Sequence, residues 1–196
     1  MSNNHFVIIV PGLGDKIYTS TIILWYFRRY GLKPIVHPVG WHDSDNTFRP
    51  KLNPLVKLID NYHRGGNKVS LIGTSAGGSA VLNAFIERKK VVYRVVNVCG
   101  RLRVGATTGF RSFTSKTKSS PSFAESVKLV EVGEGELTIS DRRRILTIRP
   151  IFDEVVPADT QILTGAKNIQ IPVIGHGMGI ALALTIFSRP IFQFLS

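Results

Sequence analysis

The sequence predicts an α/β fold in a single domain (residues 1–196), with a mostly parallel sheet of about six strands and helices on both faces. Short apolar runs alternate with longer segments of helical periodicity, which favours repeated strand–helix–strand units. The apolar runs are continuous, as is typical of parallel strands that are buried on both faces. Hydrophobic residues form 43% of the 196 residues, which is enough for the core of one domain.

The first four strands are predicted where short apolar runs end near glycine or proline, and helices are predicted between them. In the second helix, Asn53 is expected to cap the amino end, with Pro54 at the first helical position and Gly65 at the stop. The predicted strands are His5–Val10, Lys33–Trp41, Lys68–Gly73 and Val91–Gly100, and the predicted helices are Tyr18–Gly31, Asn53–Gly65 and Ser79–Lys89.

The pattern changes between Arg101 and Asp141. Glycine, threonine, serine and basic residues dominate its first half, and a helix from Pro121 to Val130 is predicted to begin at Ser120. We expect residues 101–141 to form an insertion or small flap within the domain. The remaining predicted elements are the strands Arg143–Pro150 and Ala166–Gly175 and a closing helix, Gly179–Ser188.

The formal net charge of +12 is high, but it does not indicate dedicated nucleic-acid binding. The basic residues are scattered, and no zinc-ligand spacing or RNA-binding motif accompanies them. A solvated basic surface is therefore the favoured interpretation. If the basic segment Arg101–Lys118 borders an active-site entrance, an anionic substrate or an acidic lipid surface becomes a plausible partner. The alternative is a mobile, solvated loop, and no pattern specifies an oligomeric state.

Cysteine content and terminal segments indicate the compartment. Cys99 is the only cysteine, which excludes an internal disulfide and fits a reducing compartment. The amino terminus lacks the basic region of a signal peptide, and the apolar run Ile180–Phe187 is too short to cross a bilayer. These features predict a cytoplasmic protein.

A Gly-Thr-Ser-Ala-Gly segment joins the third predicted strand to the third predicted helix. Ser75 lies at the carboxyl end of that strand, where functional residues of parallel sheets collect. Small residues on both sides allow the sharp turn from which a serine hydroxyl projects. The N–H of Ala76 at the helix start is suited to hold an oxyanion, and the N–H of Leu13, in the glycine-rich turn after the first strand, is the candidate second donor. An ordinary strand-to-helix turn is the alternative for the segment around Leu13.

A serine nucleophile needs a base and an acid that orients the base. Among five histidines, His176 stands out because it follows the last predicted strand in a loop flanked by glycines. For the acid, Asp153 lies just beyond a strand end, with Glu154 and Asp159 as alternatives.

The order Ser75, Asp153 and His176, each after a strand, resembles the α/β-hydrolase superfamily. Four segments carry this resemblance: "PGLG" resembles the oxyanion turn, "GTSAGG" the nucleophile elbow, "DEVVP" the acid loop and "GHG" the histidine loop. Together they cover nearly the whole chain. The chain looks like the compact, nearly lidless, esterase- or lipase-like members, although Pro11 stands where many members carry histidine.

The resemblance implies a serine hydrolase that uses no metal and no cofactor and acts most often on esters or thioesters. It implies Ser75 as the nucleophile, His176 as general base and then general acid, and Asp153 as the residue that orients His176. The leading hypothesis is a carboxylic ester hydrolase that forms an acyl-enzyme with a small-molecule substrate. A thioesterase, a lysophospholipase, an acyltransferase and a non-catalytic binding protein on the same fold are the alternatives.

The aromatic residues of the variable segment are the expected substrate-binding residues, because such a segment after a strand end commonly lies over the site. They are Phe110, Phe113 and Phe123.

Overall fold

The computed structural model describes residues 4–15 and 20–196 of the chain. Six strands form one sheet in the order β2-β1-β3-β4-β5-β6, and all five pairings between neighbours are parallel. The predicted six-stranded sheet is therefore confirmed. The strands are β1 (His5–Val10), β2 (Leu32–Val36), β3 (Lys68–Thr74), β4 (Val92–Val98), β5 (Ile145–Phe152) and β6 (Lys167–Ile174).

Helices cover both faces of this sheet, as predicted. Short 3₁₀ turns are present at Glu134–Glu136 and Ala158–Thr160. The helices are α1 (Ser20–Arg29), α2 (Arg49–Arg64), α3 (Gly77–Glu87), α4 (Phe113–Thr117), α5 (Pro121–Gly133), α6 (Ile139–Arg142), α7 (His176–Ala183) and α8 (Arg189–Leu195). The predicted start of the first helix, at Tyr18, lies outside the described residues. Among the described residues, no helix has the length and apolar character needed to cross a membrane.

The sheet separates two hydrophobic cores. Because successive side chains of a strand point to opposite faces, β1 contributes Ile8 and Val10 to one core and Val7 and Ile9 to the other. The first core includes residues of α2, α3 and α5, and the second includes residues of α1, α7 and α8. Because helices cover both faces, the strands are continuous apolar runs. The faces of the sheet are therefore not accessible, and a functional site is expected at the carboxyl ends of the strands.

Two helix predictions are wrong in detail. The second helix begins at Arg49 rather than at Asn53, so Asn53 does not cap it and Pro54 lies inside it. Pro50 occupies the first turn, and buried Leu52 extends the apolar stripe by one turn. The predicted closing helix, Gly179–Ser188, corresponds to α7, which begins earlier, at His176, and ends earlier, at Ala183; the helix that closes the described chain is α8, which lies beyond the predicted range. The apolar carboxyl-terminal residues of α8 are buried in the second core.

The segment 101–141 contains α4, α5 and most of α6. Ser120 caps the amino end of α5, as predicted, since its side chain accepts a hydrogen bond from the N–H of Phe123. Helix α5 packs on α3 through buried polar contacts: Ser79 Oγ lies 2.6 Å from Ser126 Oγ, and Asn83 Nδ2 donates to the Ser126 carbonyl. The helices thus form part of the connection between β4 and β5, and their role as an insertion or flap stays a prediction.

Candidate active site

Ser75 occupies a strained turn between the end of β3 and the start of α3. Its φ of +52° lies in the left-handed region, which costs a non-glycine residue about 1 kcal/mol or more. The turn is also tightly packed. A Cβ at Gly77 would lie 2.1 Å from the Val10 carbonyl oxygen, and one at Gly78 would lie 2.0 Å from Asn97 Oδ1. The glycines after Ser75 are therefore required by the close approach of the backbone to its neighbours.

The turn after β1 lies directly beside this serine. A Cβ at Gly12 would lie 2.8 Å from Ser75 Cβ and 3.3 Å from Ser75 Oγ. The backbone N–H groups of Leu13 and Ala76 donate no hydrogen bond within the described residues. Ala76 immediately precedes α3, so its N–H lies at the amino end of the helix, where the helix dipole is positive and favours a negative ligand atom. Within the part of the chain that the structure describes, both groups are therefore available as donors, and their role in holding an oxyanion stays a prediction.

His176 is the first residue of α7 and hydrogen-bonds to both of the other candidate residues. Its Nε2 lies 2.9 Å from Ser75 Oγ, and its Nδ1 lies 2.8 Å from Asp153 Oδ2. The backbone N–H of His176 donates to Glu154 Oε2 at 2.9 Å, which fixes the start of the helix. Gly175, with φ +100°, turns the chain from β6 into α7 and so aims the ring at the serine.

Asp153 is buried, with 3% of its surface exposed, and both carboxylate oxygens are fully engaged. Oδ1 accepts from the N–H groups of Val155 and Val156, both at 2.8 Å. Oδ2 accepts from Gln161 Nε2 at 3.1 Å, in addition to His176. Burial raises the pKa of Asp153, but the hydrogen bonds and the charge of His176 outweigh burial and hold the pKa below its usual value. The carboxylate is therefore ionised at neutral pH.

Two buried amide side chains support this arrangement, and sequence reasoning missed both. Gln161 Nε2 donates to the Val156 carbonyl (2.9 Å) as well as to Asp153, and Gln161 is fully buried. Asn97 Nδ2, at the end of β4, donates to the carbonyls of Gln161 and Gly100 at 3.2 and 3.0 Å. The amides connect the turn after β5, residues 153–160 (the acid turn), to the turn that carries Ser75 (the serine turn). An asparagine inside the apolar run of β4 is a signal that could have identified Asn97, whereas no pattern marks Gln161.

The basic segment Arg101–Lys118 lies against the acid turn. Arg111 Nη1 donates to the backbone carbonyl of Asp153 at 2.8 Å, and Arg101 Nη2 donates to the Arg111 carbonyl at 3.1 Å. Arg101 is only 1% exposed and packs over the ring of Phe113. The sequence left open whether this segment borders the active-site entrance or is a mobile, solvated loop, and these contacts agree with the first interpretation.

The remaining candidate residues lie in different surroundings. Phe110 is 76% exposed, whereas Phe113 and Phe123 are buried in the first core. Their role in substrate binding stays a prediction. Glu154 and Asp159, the alternatives for the acid, are exposed. Cys99 is buried, and burial, followed by the charges of the two neighbouring carboxylates of the acid turn, raises the pKa of its thiol.

Comparison with known proteins agrees with this geometry at the level of the fold. No family model and no curated protein sequence matches the chain. Among solved structures, it is similar to a monoacylglycerol lipase of Paleococcus ferrophilus, with 16% identity, a TM-score of 0.68 and coverage of 97% of this chain and 93% of the other. It is also similar to the enol-lactonase of Burkholderia xenovorans, with 13% identity, a TM-score of 0.66 and coverage of 99% and 92%.

A structure reported for the metagenome-derived lipolytic enzymes LipS and LipT is similar too, with 13% identity, a TM-score of 0.67 and coverage of 98% and 94%. The chain therefore has the α/β-hydrolase fold, as the sequence motifs predict, and its structural neighbours are hydrolytic enzymes.

Proposed function

We propose that this chain is a serine hydrolase that cleaves carboxylic esters through an acyl-enzyme. The observation that carries the proposal is the continuous hydrogen-bond chain from Ser75 Oγ through His176 to Asp153, with donor–acceptor distances of 2.9 and 2.8 Å. A serine hydroxyl is a weak nucleophile alone, and it is activated when an oriented base accepts its proton. The hydrolytic enzymes among the structural neighbours support the same chemistry.

In the proposed mechanism, the ionised carboxylate of Asp153 accepts the Nδ1–H of His176, which leaves Nε2 free to take the proton of Ser75. The serine oxygen then attacks the substrate carbonyl and forms a tetrahedral intermediate. The N–H groups of Leu13 and Ala76 hold the oxyanion of this intermediate. His176 gives its proton to the leaving alcohol, and a water molecule activated by the same ring hydrolyses the acyl-enzyme.

The substrate class within this proposal is a small-molecule ester, and a thioester is the alternative that the same residues would accept. Both have an acyl carbonyl and a leaving group that takes a proton from His176. An acyltransferase would differ only in the acceptor, so product analysis separates it from a hydrolase.

The test compares two serine variants with the wild type. Ser75→Ala removes the proposed nucleophile. Ser70→Ala is the matched control, because Ser70 is a second serine whose hydroxyl lies within 2.8 Å of a histidine ring nitrogen, that of His5. We expect wild type to hydrolyse chromogenic esters in a series from acetyl to palmitoyl. We expect Ser75→Ala to lose activity by at least about 10³-fold and Ser70→Ala to stay within about twofold.

A fluorophosphonate probe gives a second readout, since it labels an activated serine covalently. We expect labelling of wild type and of Ser70→Ala, and none of Ser75→Ala. Activity retained by folded Ser75→Ala would exclude it as the nucleophile. A folded wild type with neither labelling nor activity on oxygen esters and thioesters would favour a binding protein on this fold.

A further inference from the structure

A basic cavity, open to solvent, lies at the end of the sheet opposite the candidate active site. It has a volume of about 410 Å³, and it is formed where α2 ends and where β3, β4 and β5 begin. The seven residues of β3 separate it from Ser75 by roughly 20 Å, since a strand rises about 3.3 Å per residue. Its ionisable lining side chains are His63, Lys68, Lys90, Tyr93 and Arg144. The cavity is therefore distinct from the candidate active site.

The charge of the cavity is not balanced by its own lining. No aspartate or glutamate is among the lining residues. Arg144 Nη2 donates to Asp141 at 2.6 Å, and nearby Arg88 donates to Asp60. Over the part of the chain that the structure describes, Lys68 and Lys90 have no such carboxylate partner. Two lysine charges are thus left to attract an anion.

The positive charge affects the groups around it. Lys68 Nζ lies 3.5 Å from the centre of the Tyr93 ring. Hydrogen bonding with Arg94, and then with Lys68, lowers the pKa of the Tyr93 hydroxyl. Burial, and then the charge of Lys68, lower the pKa of the neighbouring His5 to about 4.

The volume and the walls define the size of ligand. Small-molecule sites commonly have volumes of about 300–1,000 Å³. Val69 and Val92 are buried and line the cavity together with the half-buried Tyr93. A phosphate group carries a charge of about −1.5 to −2 near neutral pH, which matches two lysines, and lysine binds phosphate as a point charge. The side chains of Val69 and Val92 are packed in the first core, so the apolar surface that remains for an organic group is that of the half-buried Val91 and Tyr93.

We propose that this cavity binds a phosphate dianion, either free or as a small phosphomonoester, with Lys68 and Lys90 as its two charged ligands. Arg144 shapes the wall of the site, because its Nη1 already donates to the carbonyls of Lys89 and Val92 at 2.7 and 2.9 Å. This site is independent of the proposed hydrolase activity.

The test is a titration of the full chain, at constant ionic strength, with inorganic phosphate, adenosine 5′-monophosphate and adenosine, followed by backbone amide NMR signals. We expect saturable shifts at Val91, Val92 and Tyr93 with the two phosphates and none with adenosine. Equal affinities for the two phosphates identify free phosphate as the ligand, and tighter binding of the nucleotide identifies a phosphomonoester.

The double variant Lys68→Gln/Lys90→Gln is expected to raise Kd at least about tenfold, because it removes both charged contacts. The matched control is Lys57→Gln/Lys167→Gln, which removes the same charge from two exposed lysines outside the cavity and should leave Kd unchanged. If the first pair does not fold, Lys90→Gln alone, at an exposed side chain, is expected to weaken binding. Absence of saturable binding, or equal loss in the control pair, would overturn the proposal.

Discussion

Two serine–histidine pairs lie at opposite ends of β3, and only one of them has the surroundings of a nucleophile. Ser75 Oγ lies 2.9 Å from His176 Nε2 at the carboxyl end, and Ser70 Oγ lies 2.8 Å from His5 Nε2 nearer the amino end. The hydrogen bonds are equivalent in length. What differs is the third group, which is the Asp153 carboxylate behind His176 and the Lys68 ammonium beside His5.

The comparison indicates which features beyond the hydrogen bond the proposed catalysis would need. A carboxylate stabilises the imidazolium that forms when the histidine takes a proton, whereas a lysine opposes it. Access differs as well. Ser70 is fully buried within β3, and Ser75 is lifted out of the sheet by its strained turn. The proposed function depends on these two differences, and the following variants test them.

The largest effect is expected from Asp153→Asn, which removes the charge that distinguishes the two pairs. Each carboxylate oxygen of Asp153 accepts two hydrogen bonds. An asparagine amide carries NH₂ in place of one of these oxygens, so in either orientation its NH₂ group faces groups that are themselves donors. His176 is then pushed toward the tautomer whose Nε2 carries a proton and cannot accept the serine proton. We expect kcat for ester hydrolysis to fall by about 10³–10⁴-fold.

Asp159→Asn is the control for this variant, since Asp159 is an exposed carboxylate near the same turn, and it should retain activity within about twofold. Equal activity of Asp153→Asn and wild type would mean that the charge behind His176 is not what sets the two pairs apart.

A smaller effect is expected from Gln161→Leu, which keeps the size of the side chain but removes the donor to Asp153 Oδ2. Gln161 acts through Asp153, so it is a positioning residue. We expect kcat/KM to fall about tenfold. The acid limb of its pH profile should move to higher pH, because a carboxylate with one donor fewer stabilises an imidazolium more strongly.

Gln170→Leu makes the same substitution at an exposed position of β6 and should change neither quantity. A fall in the activity of Gln161→Leu without movement of the acid limb would assign Gln161 a packing role only.

The sequence predicts best those features whose physical cause is local. The Ser75 turn is recognisable in the sequence, because its positive φ and the close contacts of Gly77 and Gly78 restrict the residues allowed there. The six strands are likewise predictable, since burial on both faces requires continuous apolar runs. Order along the chain then suggests Asp153 and His176.

Contacts that depend on the register between distant segments were not predictable. His5 meets Ser70 because β1 pairs with β3 in one particular register, in which His5 lies opposite Lys68. Gln161 reaches Asp153 only because a 3₁₀ turn folds back over the end of β5. In α2, Pro50 and Pro54 are both compatible with a first helical turn. The helix begins at the earlier position because this places Leu52 in the core, and that burial is a property of the folded chain.

The smallest effect concerns the His5 pair, and it acts on stability. Burial, and then Lys68, lower the pKa of folded His5 to about 4 from 6.5, so between these values the unfolded chain binds the proton that the folded chain does not. The stability from neutral His5 is complete above about pH 6.5 and is lost as the pH falls toward about 4. Because His5 is partly solvated, we expect a loss of about 1 kcal/mol, measured by denaturant unfolding. His5→Gln, which can still bond Ser70, should flatten this dependence, whereas exposed His42→Gln should not. An unchanged slope in His5→Gln would show that His5 is no more than an ordinary surface histidine.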